Sequence, residues 1–150
     1  MALDSFKNYH DHFKKTKYSE NFLVKVIDYL VSLCAKILKF DAKVRFTATS
    51  FFRRFYFRNS LLEFDPYHIA VVCVFLAAKV EEKDVTLPWI LEKIKTEEKC
   101  KGLNVQTVND LEIRVVQSLE FQFKIHNTLE PIRHIKQIVE HKIFSGPPQN

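Results

Sequence analysis

Glycine and proline are scarce in this chain, with 2 Gly and 5 Pro in 150 residues. These residues supply most tight turns, and a sheet of many short strands needs many such turns. An all-β sandwich or barrel is therefore excluded. Gly102 and Gly146 are also too few to build a phosphate-binding Gly-rich loop or a nucleophile elbow. The sequence thus predicts an all-α fold and carries no signature of an enzyme.

Cysteine and histidine are present but do not form disulfide or metal motifs. Cys34, Cys73 and Cys100 are odd in number and far apart, without a CxxC pair. Two of them lie in apolar helical segments, which is typical of reduced thiols in a protein core. His134 and His141 do not combine with a cysteine pair at zinc-site spacing. We therefore expect a reducing compartment, with no metal or other cofactor.

Secretory and membrane-spanning segments are also missing from the sequence. Asp4, Lys7 and Asp11 interrupt the first residues, so no apolar signal-peptide core is present. The longest apolar run has ten residues, whereas a membrane-spanning helix needs about 20. We expect a protein of the nucleus, or of the cytoplasm as well, that has no membrane partner.

Apolar and charged residues are both plentiful. Hydrophobic residues make up 47% of the chain, including 14 Phe, and charged residues make up 27%. This composition is that of one globular domain with a sizeable core. The net charge of +5 would suit nucleic acid, an anionic membrane or an acidic protein surface. The local group Arg53, Arg54 and Arg58 is interpreted as a solvated helix face, because the basic residues are otherwise spread along the chain.

Residues 65–82 give the clearest structural signal. Asp65 and Pro66 are typical of a helix start, because Asp accepts bonds from free backbone N–H groups and Pro lacks only an unused donor. Ten consecutive apolar residues follow at 69–78. A helix that is apolar on every side must be surrounded by other helices. A central strand is the alternative for residues 71–75, but the caps and the alanines favour a helix.

Apolar residues at helical spacing predict four further helices around this central one. Residues that commonly cap helices precede each of them, at Ser19, at Asp41, at Thr86 and at either Asn104 or Thr107. The sequence therefore predicts a five-helix bundle over residues 19–127, built around a central buried helix.

The two ends of the chain are predicted to add helices outside this bundle. Residues 1–18 have an amphipathic pattern. Residues 121–125 alternate between apolar and polar, which indicates an extended connection packed on the bundle. A further helix follows within residues 128–150, and its spacing predicts that Ile132, Ile135, Val139 and Ile143 face inward.

Two motifs carry a resemblance to a known family. Residues 74–82 (VFLAAKVEE) and 46–56 (FTATSFFRRFY) resemble the cyclin box of the transcription-type cyclins C, H, K, L and T. The connection at 59–66 is similar to that of cyclin C, and the likeness extends over roughly residues 22–131. Since cyclins carry two boxes of five helices, the resemblance implies that residues 19–127 are a first box. Residues 128–150 would then be the start of a second-box helix or a C-terminal extension.

Lys79 and Glu112 are the charged residues that lie most closely against predicted apolar surfaces. Lys79 comes directly after the buried run, and Glu112 lies at the edge of the apolar seam of the fifth helix. A charge in such a place needs a partner. From the residues alone, Lys79 pairs with Glu82, and Glu112 pairs with Arg45 or Arg114. The alternative is a contact with another protein.

The cyclin resemblance favours that second alternative. In the family, the Lys and Glu at these positions contact the regulatory helix of a kinase. By the same resemblance, Val80, Val116 and Phe123 add apolar contacts around the charged pair, a composition typical of binding hot spots.

The resemblance implies a regulatory subunit that binds and activates a cyclin-dependent serine/threonine kinase, contacting its regulatory helix and N-terminal lobe. Its role would be in transcription or cell-cycle control, and it would perform no chemistry itself. The alternatives are a nucleic-acid-binding module of the general-transcription-factor type and a scaffold protein. The sequence does not favour a nucleic-acid partner, and it predicts no obligate homo-oligomer.

Overall fold

The computed structural model describes residues 20–125, 132 and 134–139. Over these residues the chain is helical and has no strand, which confirms the all-α prediction. The elements are α1 (Glu20–Ser32), α2 (Ala42–Arg58), α3 (Pro66–Val80), α4 (Leu87–Lys93) and α5 (Val105–Ser118), with a π-helical turn (Leu33–Ile37) and a 3-10 turn (Glu98–Cys100). None of the helices in this described part is long and apolar enough to cross a membrane.

Helix α3 lies at the centre of the bundle, as predicted. All ten residues at 69–78 are buried, and none is more than 7% exposed. Asp65 caps the helix by accepting hydrogen bonds from the Tyr67 and His68 amides at 2.8 and 3.2 Å. Helices α1, α2 and α5 and the 3-10 turn all pack against α3. A fully apolar helix is thereby removed from water on every side.

The predicted helix starts are confirmed wherever the structure describes them. Asp41, Thr86 and Asn104 each accept a bond from the backbone amide three residues later, at 3.1, 3.4 and 2.9 Å. Thr107, the alternative start of the fifth helix, lies inside α5. Ser19 and the amphipathic segment 1–18 fall outside the described residues.

All three cysteines are free and buried. The apolar helical segments predicted this for Cys34 and Cys73, whereas the burial of Cys100 was not predicted. Burial raises the pKa of the Cys34 thiol to about 12 and also raises the pKa of Cys73. A thiol that stays protonated at neutral pH is a poor nucleophile. Among the residues that the structure describes, no three His, Cys, Asp or Glu side chains lie together where a metal ion could bind.

The helix near the end of the chain corrects one prediction. Residues 132 and 134–139 are helical, but Ile132, Ile135, Ile138 and Val139 are 45–60% exposed. The prediction that Ile132, Ile135 and Val139 face inward is therefore wrong. Spacing indicates that a helix has an apolar face, but it does not indicate which surface covers that face. Ile143 falls outside the described residues.

Candidate functional site

The last turn of α3 places Lys79 beside α5. Its ammonium forms an ion pair with the carboxylate of Glu112. The same ammonium lies 4.4 Å from the centroid of the Phe75 ring, in a cation–π contact. The structure thus brings together the two charged residues that the sequence singled out. The predicted pairing of Lys79 with Glu82, and that of Glu112 with Arg45 or Arg114, are both wrong.

The ion pair lies at an edge of the bundle that is open to solvent. The Lys79 side chain is 44% exposed and the Glu112 side chain is 17% exposed. An ammonium has three N–H donors, so one carboxylate leaves donors for a further acceptor. A second protein could therefore add acceptors to Lys79 without breaking the pair. The pair also connects α3 to α5 within the fold, which is a structural role of its own.

The three apolar residues predicted at the site are anchored in the core. Val80, Val116 and Phe123 are each partly buried and pack against the buried core residues. The Phe123 ring meets the Phe51 ring edge-on, with centroids 6.1 Å apart. Each of the three keeps part of its surface open to solvent.

Phe121 is a large exposed residue that sequence reasoning did not select. Its side chain is 68% exposed, although the alternating pattern predicted that it would pack on the bundle. Glu120 and Phe121 both have left-handed backbone angles, with φ of 53° and 57°. This conformation costs about 1–2 kcal/mol per non-glycine residue. Such strain persists only where neighbouring groups hold it, and it is frequent at functional sites.

Arginines of α2 hold this strained loop. The Arg54 guanidinium donates to the carbonyls of Leu119 and Gln122, at 3.1 and 2.7 Å. Arg58 forms an ion pair with Glu120. These residues line a cleft of about 220 Å³ between the ends of α2 and α5. The interpretation of this basic group as a solvated face is therefore incomplete, because two of its members bind the loop after α5.

A second cluster that sequence reasoning missed joins α2 to the end of α3. Glu81 is only 11% exposed and pairs with Lys43 at 2.8 Å. It also accepts a hydrogen bond of 2.6 Å from the Thr47 hydroxyl. Burial raises the pKa of Glu81, but the bonds from Lys43 and Thr47 outweigh burial and hold it below its ordinary value. The available signal was a polar residue, Thr47, on the apolar stripe that contains Val44 and Phe51.

The sequence and fold can be placed among known proteins. Residues 3–124 match the family of cyclin N-terminal domains. Cyclin-C1-1 of Oryza sativa subsp. japonica is 27% identical over 119 residues, which cover 77% of this chain and 46% of the relative. Cyclin CCL1 of Saccharomyces cerevisiae is 30% identical over 102 residues, which cover 68% of this chain and 24% of the relative. The chain spans less than half the length of these curated relatives.

A solved structure has the same fold. A chain in the cryo-EM structure of the yeast TFIIK (Kin28/Ccl1/Tfb3) complex matches with a TM-score of 0.68 and 26% identity. The match covers 94% of this chain and 61% of that chain. Because a cyclin domain match extends over most of the chain and its relatives include cyclins C and H, this protein belongs to the cyclin family and is similar to its transcription-type members.

Proposed function

We propose that this chain is a regulatory subunit that binds and activates a cyclin-dependent serine/threonine kinase acting in transcription. The observation that carries the proposal is the Lys79–Glu112 ion pair, which lies at a solvent-facing edge between α3 and α5 of a cyclin domain. The complex of Kin28, Ccl1 and Tfb3 that contains the matching chain adds support.

The proposed mechanism is a shift in the conformational equilibrium of the kinase. An active protein kinase needs an ion pair between the Lys of strand β3 and the Glu of helix αC. A partner that binds the inward position of αC more tightly than the outward position shifts the kinase toward the active state. In this proposal, the edge formed by α3 and α5 packs against αC, and the cyclin chain takes no part in the chemistry.

Each residue at the edge has a distinct role in the proposed contact. Lys79 offers N–H donors to carbonyl oxygens of the kinase, and Glu112 accepts a bond while holding Lys79 in place. Val80, Val116 and Phe123 supply apolar contacts, and the exposed ring of Phe121 extends them. Apolar anchors around a desolvated charged pair are typical of binding hot spots.

A nuclear location is part of the same proposal. One relative, 29% identical over 104 residues, is named the RNA polymerase II holoenzyme cyclin-like subunit of Mycosarcoma maydis. A kinase regulator of that kind acts where RNA polymerase II acts. Imaging of the tagged protein in cells tests this part, and exclusion from the nucleus would reject it.

Substitution of the charged pair tests the kinase contact. We expect Lys79→Ala and Glu112→Ala to weaken kinase binding by about 2–5 kcal/mol, because the proposed complex buries this edge and each change would leave the other charged residue there without its partner. Kinase activation should fall in parallel. The matched control is the exposed pair of Lys95 and Glu92, whose charged atoms lie 3.7 Å apart, and alanine at either position should leave binding unchanged.

Affinity and stability are both measured on each variant, by calorimetry with purified kinase and by urea unfolding. If the pair only joins α3 to α5, the Lys79→Ala and Glu112→Ala variants will be less stable. Their kinase affinity will then equal that of the wild type once it is corrected for the folded fraction. That result would reject the proposed function.

A further inference from the structure

Two ion pairs join the residues just after α3 to the start of α2. Lys83 lies 2.6 Å from one carboxylate oxygen of Asp41, whose other oxygen caps α2. Lys43, two residues further along, pairs with Glu81 at 2.8 Å. The end of the central helix is therefore tied to a neighbouring helix by side chains that come from both elements.

The bond from Thr47 to Glu81 is the most enclosed contact in this connection. Thr47 is 2% exposed and is the one buried polar residue in the described core. Its hydroxyl has a carboxylate acceptor at 2.6 Å. Hydrogen bonds to a charged group are roughly twice as strong as neutral ones. This bond joins Thr47, in the second turn of α2, to Glu81 at the end of α3.

The backbone at the end of α3 forms a turn with an unfavourable conformation between these side chains. The Glu81 amide bonds to the Ala77 carbonyl at 2.9 Å, and the Lys83 amide bonds to the Ala78 carbonyl at 2.9 Å. Between them, Glu82 has a left-handed φ of 55°. Glycine is the usual residue at such a helix end, because a side chain makes the conformation unfavourable. The residues on both sides of this unfavourable conformation, Glu81 and Lys83, are the ones that contact α2 and its cap.

Lys79 lies in the last turn of α3, two residues before Glu81. Its long side chain has many rotamers, so the placement of its ammonium depends on a fixed backbone. We propose that Thr47 and Glu81 are positioning residues that hold this turn, so that Lys79 meets Glu112 and the kinase in one geometry. This inference rests on the proposed function and extends it to residues that do not reach the solvent-facing edge.

Thr47→Val tests the inference, because it removes the hydroxyl and keeps a side chain of similar shape. We expect kinase affinity to fall about tenfold, and Thr47→Ser, which restores the hydroxyl, to recover most of the loss. The matched control is Thr49→Val on the same helix. The Thr49 hydroxyl bonds at 2.8 Å to the Arg45 carbonyl within α2, so this variant should bind the kinase normally.

A double-mutant cycle separates positioning from general destabilisation. If Thr47 acts through Lys79, adding Thr47→Val to Lys79→Ala should cause little further loss of affinity. Fully additive losses would overturn the inference, since the hydroxyl would then act by another route. Affinity in each case is corrected for the folded fraction from urea unfolding.

Lys43→Met keeps the inference testable if Thr47→Val does not fold. The Lys43 side chain is 58% exposed, so its substitution should leave the bundle folded while it weakens the hold on Glu81. We expect kinase affinity to fall about threefold, and Lys95→Met serves as the exposed control. If Lys43→Met binds the kinase normally while Lys79→Ala binds it weakly, the positioning inference is rejected and the proposed function is not. Normal binding by Lys79→Ala as well would reject the proposed function.

Discussion

Glu81 is a carboxylate whose behaviour is set by contacts that are distant in sequence. Burial alone would raise its pKa, but the bonds from Lys43 and Thr47 lower it. The hydrogen bond from Lys83 likewise lowers the pKa of Asp41. Both groups therefore favour the ionised form in the folded protein, and both lie where α2 meets the end of α3.

This arrangement predicts the response of the fold to acid. A carboxyl whose pKa is lower in the folded state than in the unfolded state stabilises the fold. The full stabilisation is present at pH values above the unfolded-state pKa, which is about 4 for Asp and Glu. The stabilisation is lost as the pH falls through the folded value. We expect Glu81→Gln to be less stable than the wild type at neutral pH, and the difference to shrink below about pH 4.

Urea unfolding at a series of pH values measures this difference. Glu98→Gln is the control, because its side chain is 86% exposed and pairs with Lys101 only on the surface. That variant should match the wild type at every pH. A constant gap between Glu81→Gln and the wild type from neutral to acid pH would contradict the assigned role of Glu81.

Arg54 provides a second prediction for a single residue. Its guanidinium donates to the carbonyls of Leu119 and Gln122, and these two hydrogen bonds tie α2 to the loop after α5. We expect Arg54→Met to lower the free energy of unfolding by about 1–3 kcal/mol, because two hydrogen bonds are lost and each typically contributes about 0.5–1.5 kcal/mol. The neighbouring Arg53 is exposed, so Arg53→Met should change stability little. Equal effects of the two substitutions in urea unfolding would contradict this assignment.

Among the elements, α3 determines the fold more than any other helix. It is capped by Asp65, starts with Pro66 and buries ten consecutive residues. Its position follows from composition, because an element with no polar face is stable only where no face meets water. Helices α1, α2 and α5 each present an apolar face to α3 and pack around it.

Truncation of a core side chain in α3 tests this view. Phe75 is 7% exposed, and Phe75→Ala should cost about 3–5 kcal/mol through lost burial and a residual cavity. Leu62→Ala is the control, since Leu62 is 67% exposed and its truncation should cost no more than about 0.5 kcal/mol. Denaturant titration measures both, and a cost for Phe75→Ala near that of the control would contradict the central placement of α3.

Over the whole molecule, the net charge of +5 does not identify a nucleic-acid surface. In the part of the chain that the structure describes, Arg54 and Arg58 contact the loop after α5. We expect binding to duplex DNA or RNA to be weak, without sequence preference, and lost at physiological salt. Fluorescence anisotropy with labelled oligonucleotides over a salt series measures this. A complex that discriminates sequence and survives physiological salt would contradict the prediction.

Residues close together in sequence determined much of this protein. The caps at Asp41, Asp65 and Thr86, and the buried run at 69–78, could all be predicted, and Asn104 was one of two predicted caps for α5. Each depends on residues within one or two turns of the same helix, and short-range sterics and hydrogen bonds act over that distance. The cyclin resemblance also rests on short motifs, so the family could be recognised without coordinates.

Tertiary structure alone decided which side chains meet across helices. Lys79 had a nearer partner in Glu82 and pairs instead with Glu112. Thr47 binds Glu81, and Phe121 projects into solvent although its pattern predicted packing. Periodicity assigns a residue to a face of its own helix but contains no information on the rotation and offset between packed helices. An ion pair requires its two charged groups to lie within a few ångströms of each other. The rotation and offset between packed helices therefore determined which residues form the candidate site.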